Sequence, residues 1–285
     1  MRLMSTVLAG IPNVACYMDD IVCFSETWEI HLEVLESVFE ALENAGLVVN
    51  LPKCSFAKAQ VQYLGHMAGL GSLSPPSAKV TAIMEMEVPH TKRQVRRFLG
   101  AVGYYRRYVK NFADLTFPLT ELLKKGQAFK WTDQCEESFR NLQRVLCSSP
   151  VLASPDFDKT FKLACDASNV AVGAVLLQED AKGVDHPVAY FSKKLSPAQK
   201  NYATVEKELL SIILALQHFN FYLLPSEPVI IFTDHRPLSY LSSFRLKNQR
   251  LTRWSLYLQN FNISVVHVKG VDNVLADALS RPAEA

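Results

Sequence analysis

The chain has 285 residues, of which 49% are hydrophobic and 20% charged, and its formal net charge is +2. This composition is enough to form the cores of two or three domains, and a net charge so near zero excludes a protein that attracts its partner through a global field. No apolar run approaches the roughly 20 residues that a membrane span requires. The segment MRLMSTVLAGIPN is too weakly apolar for a signal peptide. The sequence therefore predicts a protein without a membrane partner.

The six cysteines are scattered along the chain and argue against a metal site of the zinc-binding kind. They form no CxxC pair and no Cys/His cluster, and most lie within apolar runs. This pattern argues against a zinc site and predicts reduced, buried thiols in an intracellular protein.

The first motif in the chain is YMDD, that is Tyr17, Met18, Asp19 and Asp20, between two apolar runs. A helical pattern follows it, with apolar residues every three or four positions from Trp28 to Leu42 and a stop at Gly46. The segments LVVN and VQYLGHMAGL then predict short strands, interrupted by glycines. Ser74-Pro75-Pro76 marks a boundary, after which Pro76 or Ser77 opens the next helix.

The segment from Lys92 to Phe112 is amphipathic, with apolar residues at helical spacing. From Lys92 to Lys110 it has seven basic residues and no acid, whereas the chain from Glu26 to Glu43 has acids and no Lys or Arg. Such local asymmetry favours a surface that faces nucleic acid. Solvated helical faces are the alternative interpretation.

A different pattern begins after the linker-like stretch SSPVLASPDFD. TFKLACDAS, VAVGAVLLQ and HPVAYFSKKL predict three successive strands, and residues 202–222 predict a long helix. PVIIFTDHRPL predicts a strand buried on both faces. A helix at 248–260, the strand NISVVHVKG and a helix at 273–280 complete an α/β domain.

Four acids in this second half have unusual positions. Asp166 and Asp234 lie where two predicted strands end, and ligands of open α/β sheets bind at the carboxyl ends of strands. Glu208 lies against the apolar face of its helix, and Asp277 lies one turn before Arg281. The alternatives are a turn cap formed by Asp166 with Ser168, a core hydrogen bond of Glu208, and a helical ion pair of Asp277 with Arg281.

A cluster of these carboxylates would need cations, because like charges repel and burial increases their cost. Oxygen ligands suit Mg²⁺ or Mn²⁺ and not Zn²⁺. Two such ions about 4 Å apart can activate a water and stabilise the leaving oxygen of a phosphodiester. The acids thus allow a two-metal hydrolase site, if they converge.

In chain order, the motifs resemble the pol polyprotein of a gypsy-class long-terminal-repeat retrotransposon, over essentially the whole sequence. Three segments resemble regions of the reverse transcriptase: YMDDIVCFS resembles the palm motif, VQYLGHMAGLGSLSPPSAKV the primer grip and the link after it, and RRFLGAVGYYRRYVKNFADLTFPLTELL the thumb. Four further segments resemble the RNase H domain: LACDASNVAVGAVLLQ, YATVEKELLSIILALQHFNFYL, FTDHRPLSYL and DNVLADALSR. The resemblance implies a partial palm at residues 1–72, a thumb and linker at 73–155, and at 156–282 an RNase H-like mixed β-sheet with flanking helices.

The resemblance also implies roles for the four acids, Asp166, Glu208, Asp234 and Asp277, which match the metal-binding acids of RNase H. By analogy, Asp166 would bridge two Mg²⁺ ions, and the enzyme would cut the RNA strand of an RNA–DNA hybrid to leave a 3′-hydroxyl and a 5′-phosphate. The 2′-hydroxyl distinguishes RNA from DNA. Glu206 competes with Glu208 for its role. His267 falls on a predicted strand and not in the flexible loop that carries a histidine in related enzymes, so we do not assign it that role.

For DNA synthesis, the resemblance implies a third aspartate well upstream of Asp19 and Asp20. Residues 1–16 contain no Asp or Glu. We therefore expect a reverse transcriptase that lacks its fingers and half of its palm and does not polymerise DNA, unless another chain completes it by dimerisation or complementation.

Basic residues are the expected contacts to an RNA–DNA hybrid or a template–primer duplex, through phosphates and without sequence preference. They are Arg96, Arg97, Arg106, Arg107, Lys110, Arg250 and Arg253. Three functions compete: a hybrid-specific ribonuclease, a reverse transcriptase completed in trans, and a non-catalytic nucleic-acid-binding remnant.

Overall fold

The computed structural model describes residues 2–148, 152–223, 228–233 and 249–268. The described part divides into two compact units, residues 1–70 and 71–285. None of the helices in the described ranges is long and apolar enough to cross a membrane.

The first unit combines one long helix with two β-hairpins. Its helices and strands are α1 (Arg2–Val7), β1 (Val14–Tyr17), β2 (Asp20–Cys23), α2 (Trp28–Asn44), β3 (Gln60–Tyr63) and β4 (His66–Gly69). The Thr27 hydroxyl accepts a hydrogen bond from the Ile30 amide and so caps α2, and Gly46, at a φ of +69°, follows its end. Val34, Val38 and Leu42 bury one stripe of α2 against Leu8.

The predicted strand LVVN is wrong. Residues 47–50 have no strand, and Val48 is 95% exposed. Leu47 is instead hydrogen-bonded to the last turn of α2, because its amide donates to the Leu42 carbonyl. Local β propensity is therefore overridden by the helix terminus.

The second unit begins with a layer of helices. It contains β5 (Ser72–Ser74), α3 (Ser77–Met84), α4 (Lys92–Tyr104), α5 (Phe112–Leu115), α6 (Phe117–Glu121), α7 (Asp133–Cys147) and β6 (Leu152–Ala153). Strand β6 pairs antiparallel with β5 and so returns the chain to the start of the layer. The buried Gln143 amide donates to the Ile83 and Met84 carbonyls, both at 3.0 Å, which joins α7 to the end of α3.

The amphipathic segment 92–112 is not one helix. After α4 ends at Tyr104, residues Arg106–Tyr108 form a 3₁₀ turn, and Asn111 has a φ of +47°. Tyr105, Tyr108 and Val109 are all buried by this change of direction. Burial of these side chains therefore overrides the helical period.

The sheet domain follows. Its described elements are β7 (Lys162–Ala167), β8 (Ala171–Glu179), β9 (Asp185–Lys194), α8 (Pro197–Lys200), α9 (Thr204–His218), α10 (Asn220–Leu223), β10 (Val229–Thr233), α11 (Gln249–Leu258) and β11 (Ile263–His267). The strand order is β11-β10-β7-β8-β9. β10 is parallel to β7 and β11, whereas β7, β8 and β9 are antiparallel. The predicted mixed sheet is confirmed; the predicted helix at 273–280 lies outside the described residues.

Both faces of this sheet are covered. On one face, Leu163, Cys165 and Leu176 pack with Leu209 and Ile212 of α9. On the other, Ala164, Val175, Leu177 and Tyr190 share a core with the helical layer, which includes Phe98 and Phe139. The helical layer therefore covers one face of the sheet, and α9 and α11 cover the opposite one.

Candidate active site

Asp166 lies near the carboxyl end of β7, the central strand of the sheet. It is partly buried, and its partner across the strands is Gly173 of β8. Leu163 and Cys165 point toward α9, and Ala164 packs on the opposite face, so alternation places Asp166 on the face of Ala164.

Glu208 lies on α9 and is 7% exposed. Helix α9 packs on β7 and β8. Burial and the negative charges of Glu208 and Asp166 together raise the pKa of the Cys165 thiol. Both carboxylates therefore lie within electrostatic reach of one buried thiol, on two different elements.

Glu206, the predicted competitor of Glu208, has a different set of contacts. One of its carboxylate oxygens accepts from the Ala203 amide at 3.2 Å. The other lies 3.1 Å from Nη1 of Arg250, whose guanidinium lies 3.9 Å from the ring centroid of Tyr202. Glu206 thus caps the helix and ties α11 to α9, whereas Glu208 is buried near Cys165.

Asp234 and Asp277 lie outside the described residues, and so does Arg281. Strand β10, which ends at Thr233, runs parallel to β7. His267 is the last residue of β11 and pairs with Thr233. Among the described residues, no group of three or more His, Cys, Asp or Glu side chains could hold a metal ion. Asp166 and Glu208 offer oxygen donors, and these fit Mg²⁺ better than a softer metal.

A third carboxylate near Asp166 was missed by the sequence analysis. Asp114 of α5 accepts a hydrogen bond of 2.9 Å from the Ser168 hydroxyl, in the turn that follows Asp166. Burial and the charge of Asp166 raise the pKa of Asp114, whereas this hydrogen bond opposes the rise. No local pattern signals this contact, because 54 residues separate its partners.

The predicted nucleic-acid contacts differ in exposure. Arg96 and Arg97 are exposed on α4, on the side opposite its buried stripe, and Arg106 and Arg253 are also exposed. Arg107 and Lys110 are partly buried. Arg250 is partly buried in its ion pair with Glu206.

The YMDD motif forms the tip of a β-hairpin in the first unit. Tyr17 and Asp20 are cross-strand partners, and Met18 has a φ of +58° in the turn. Asp19 and Asp20 are exposed. Burial raises the pKa of the nearby Cys16 thiol, with contributions from Asp19 and Asp20.

Two family models match separate parts of the chain. Residues 1–68 match "Reverse transcriptase (RNA-dependent DNA polymerase)", and residues 156–261 match "RNase H-like domain found in reverse transcriptase". The second range contains Asp166 and Glu208. A reverse-transcriptase fragment and an RNase H-like domain are thus both present.

Curated relatives span nearly all of the sequence. The Retrovirus-related Pol polyprotein from transposon opus of Drosophila melanogaster is 40% identical over 293 residues, which cover 98% of this chain and 29% of the relative. The Transposon Tf2-3 polyprotein of Schizosaccharomyces pombe is 39% identical over 272 residues, 94% of this chain and 20% of the relative. The homologues of this chain are transposon Pol polyproteins. The chain thus spans less than a third of the length of either relative.

Solved structures of foamy viral protease-reverse transcriptase share the fold. The dRH form in complex with double-stranded DNA has a TM-score of 0.82 at 24% identity, covering 94% of this chain and 48% of that one. The complex with an RNA/DNA hybrid has a TM-score of 0.79 at 24% identity, and the match covers 100% of this chain and 39% of that one. The predicted fold class is confirmed, and so is the predicted similarity to transposon Pol polyproteins.

Proposed function

We propose that this chain hydrolyses the RNA strand of RNA–DNA hybrids at a two-metal carboxylate site, as the RNase H part of a gypsy-class retrotransposon polyprotein. The observation that carries the proposal is the position of Asp166 near the carboxyl end of the central strand β7, with Glu208 buried on the adjacent helix α9, both within the region that matches the RNase H-like family. The resemblance supplies Asp234 and Asp277 as the other two acids. In this proposal, residues 156–282 form the nuclease domain, residues 73–155 the thumb and linker, and residues 1–72 the partial palm.

The proposed cofactor is a pair of Mg²⁺ ions, with Mn²⁺ as a substitute. When bound, they would activate a water and stabilise the leaving oxygen. The protein's part is to hold Asp166 on the central strand and Glu208 on α9. Glu208 is almost fully buried, and keeping a buried carboxylate ionised costs free energy that a bound cation would offset.

A panel of three substrates tests this function. Labelled RNA–DNA hybrid, duplex RNA and duplex DNA would each be incubated with the full chain in Mg²⁺ and, separately, in EDTA. We expect cutting of the RNA strand in the hybrid only, and only with Mg²⁺. Equal cutting of duplex RNA and hybrid would contradict the proposed specificity. Binding of the hybrid without cutting would favour a non-catalytic binding module.

The proposed partner is an RNA–DNA hybrid or a template–primer duplex, bound by the basic residues predicted from the sequence. One of the solved structures that share this fold, a foamy viral protease-reverse transcriptase, is in complex with an RNA/DNA hybrid. The exposed positions of Arg96, Arg97, Arg106 and Arg253 are compatible with phosphate contacts.

The proposed location is intracellular. All six cysteines are free thiols, which is the usual state of cysteines inside the cell.

Replacing two of these arginines should weaken hybrid binding and make the affinity less dependent on salt concentration. For Arg96→Gln/Arg97→Gln we expect the slope of log affinity against log salt to fall by about 2, because each phosphate contact contributes about 1. Fluorescence anisotropy with a labelled hybrid, at salt concentrations from about 50 to about 200 mM, would measure this slope.

Arg140→Gln is the control for this measurement, because Arg140 is already paired with Glu136 on α7 at 2.9 Å. We expect its slope to equal that of the unmodified protein. An unchanged slope in the Arg96/Arg97 double variant would remove α4 from the proposed interface.

DNA synthesis is the second candidate function. It is favoured by the reverse-transcriptase match at residues 1–68 and by the exposed Asp19 and Asp20 at the hairpin tip. We propose that it requires a third aspartate in addition to Asp19 and Asp20, which dimerisation or complementation by a fuller reverse transcriptase would supply. Primer extension with a fingers–palm fragment added in trans tests this; no extension in the mixture would argue against it.

A further inference from the structure

The turn after Asp166 is organised by one hydroxyl. Ser168 Oγ accepts hydrogen bonds from the amides of Val170, at 3.2 Å, and Ala171, at 2.9 Å. The Ser168 amide donates to the Ala171 carbonyl at 2.8 Å and closes the turn. The position of Ser168 Oγ therefore sets the path of the chain between β7 and β8.

The single proton of this hydroxyl has two acceptors within reach. The Asp114 carboxylate lies at 2.9 Å and the Ala171 carbonyl at 3.1 Å. A hydroxyl has one O–H to donate, and a bond to an ionised acceptor is shorter and about twice as strong as one to a neutral acceptor. Asp114 is thus the preferred acceptor, and it holds Ser168 from outside the turn.

Asp114 is itself held against the sheet by neighbours on both sides. The Ala113 amide donates to the Ser192 hydroxyl of β9 at 3.0 Å. Asn111 Oδ1 would lie 2.6 Å from a Cβ at Gly173, the cross-strand partner of Asp166, so this strand position has no room for a side chain without movement of Asn111. The Ser138 hydroxyl of α7 donates to the Leu115 carbonyl. The helical layer thus fixes α5 at the end of the sheet that carries Asp166.

From these contacts we infer that Asp114 is a positioning residue of the nuclease: it holds the Ser168 turn and thereby fixes the Asp166 carboxylate for Mg²⁺. The inference rests on the proposed function. Its physical basis resembles the outer-shell support that metal ligands commonly need, where a second group orients the first. After burial, the charge of Asp166 also helps to raise the pKa of Asp114, so the two carboxylates interact, and Asp114 would attract a cation bound at Asp166.

The test compares Asp114→Ala, Asp114→Asn and Ser168→Ala with the unmodified chain. Two quantities would be measured across a Mg²⁺ titration: the rate of RNA-strand cleavage and the Mg²⁺-induced rise in unfolding temperature, which reports binding without turnover. For Asp114→Ala we expect the Mg²⁺ concentration for half-maximal cleavage to rise about 10-fold. The rise in unfolding temperature should shrink in parallel.

Asp114→Asn separates the charge from the hydrogen bond and remains informative if the alanine variant does not fold. Its amide oxygen still accepts from Ser168, so we expect a smaller rise in the Mg²⁺ midpoint, about 3-fold. Asp114→Ala and Ser168→Ala both remove the hydrogen bond between Ser168 and Asp114. The Mg²⁺ midpoint of the double variant should therefore exceed that of the more affected single variant by less than about 2-fold. Asp133→Ala, which removes an exposed carboxylate on α7, is the control and should leave the midpoint unchanged.

The outcomes separate the two proposals. Unchanged Mg²⁺ midpoints in both Asp114 variants, or fully additive effects of Asp114→Ala and Ser168→Ala, would overturn the positioning role while the nuclease stands. If the unmodified chain does not cut hybrid but is stabilised by Mg²⁺, the nuclease proposal fails, and the thermal titration alone decides whether Asp114 supports the metal site. If it neither cuts nor responds to Mg²⁺, both proposals fail.

Discussion

Asp166→Asn should lower the rate of RNA-strand cleavage by about 1,000-fold or more. In the proposed site Asp166 would help to hold the metal ions, and losing about 4 kcal/mol of transition-state stabilisation corresponds to this factor. Asparagine has nearly the same shape but no charge, so the sheet around β7 should keep its structure. Single-turnover cleavage of a hybrid labelled on the RNA strand would measure the change. Hybrid binding should persist, because it depends mainly on basic side chains.

Two neighbouring glutamates of α9 provide the matched control for this result. Glu208→Gln should reduce cleavage as strongly as Asp166→Asn, whereas Glu206→Gln should retain most of the activity. The reason is their different surroundings: Glu206 caps the helix and pairs with Arg250, whereas Glu208 is buried. Loss of activity in Glu206→Gln with none in Glu208→Gln would exchange their proposed roles.

Phe139→Ala should destabilise the second unit by about 3–5 kcal/mol, the usual cost of deleting a buried aromatic side chain. Phe139 has no exposed surface, and its ring centroid lies 4.5 Å from that of Phe98 and 6.2 Å from that of Trp131. The same core includes Val175 and Leu177 of β8. We therefore expect the helical layer and the sheet to lose stability together, with a lower urea midpoint by circular dichroism.

Glu137→Ala, an exposed position on the same helix, is the control and should change the unfolding free energy by less than about 0.5 kcal/mol. A Phe139→Ala variant whose urea midpoint matches that of this control would contradict the shared core. A separate, unshifted transition of the sheet would show that the sheet does not depend on the helical layer.

Long periodic segments were predictable from the sequence. The strand predicted at TFKLACDAS is observed as β7, whose residues Leu163 and Cys165 pack toward α9. The apolar neighbours of Glu208 at helical spacing predicted its burial, which is observed. These predictions succeed because period and burial are coupled within a single element.

Features that depend on distant residues were not predictable. The break of α4 at Tyr104 follows from burial of Tyr105 and Tyr108 in a core built by other helices. The contact between Asp114 and Ser168 joins the helical layer to the sheet, and neither residue shows it by spacing. The LVVN error has the same origin, since the end of α2 determines the path of the chain there.

The most direct test of the proposed nuclease is to map the products from an RNA–DNA hybrid incubated with the full chain in Mg²⁺. The proposal predicts internal cuts in the RNA strand that leave 3′-hydroxyl and 5′-phosphate ends, an intact DNA strand, and no cutting by Asp166→Asn under the same conditions. A folded protein that binds the hybrid and leaves both strands intact would contradict it.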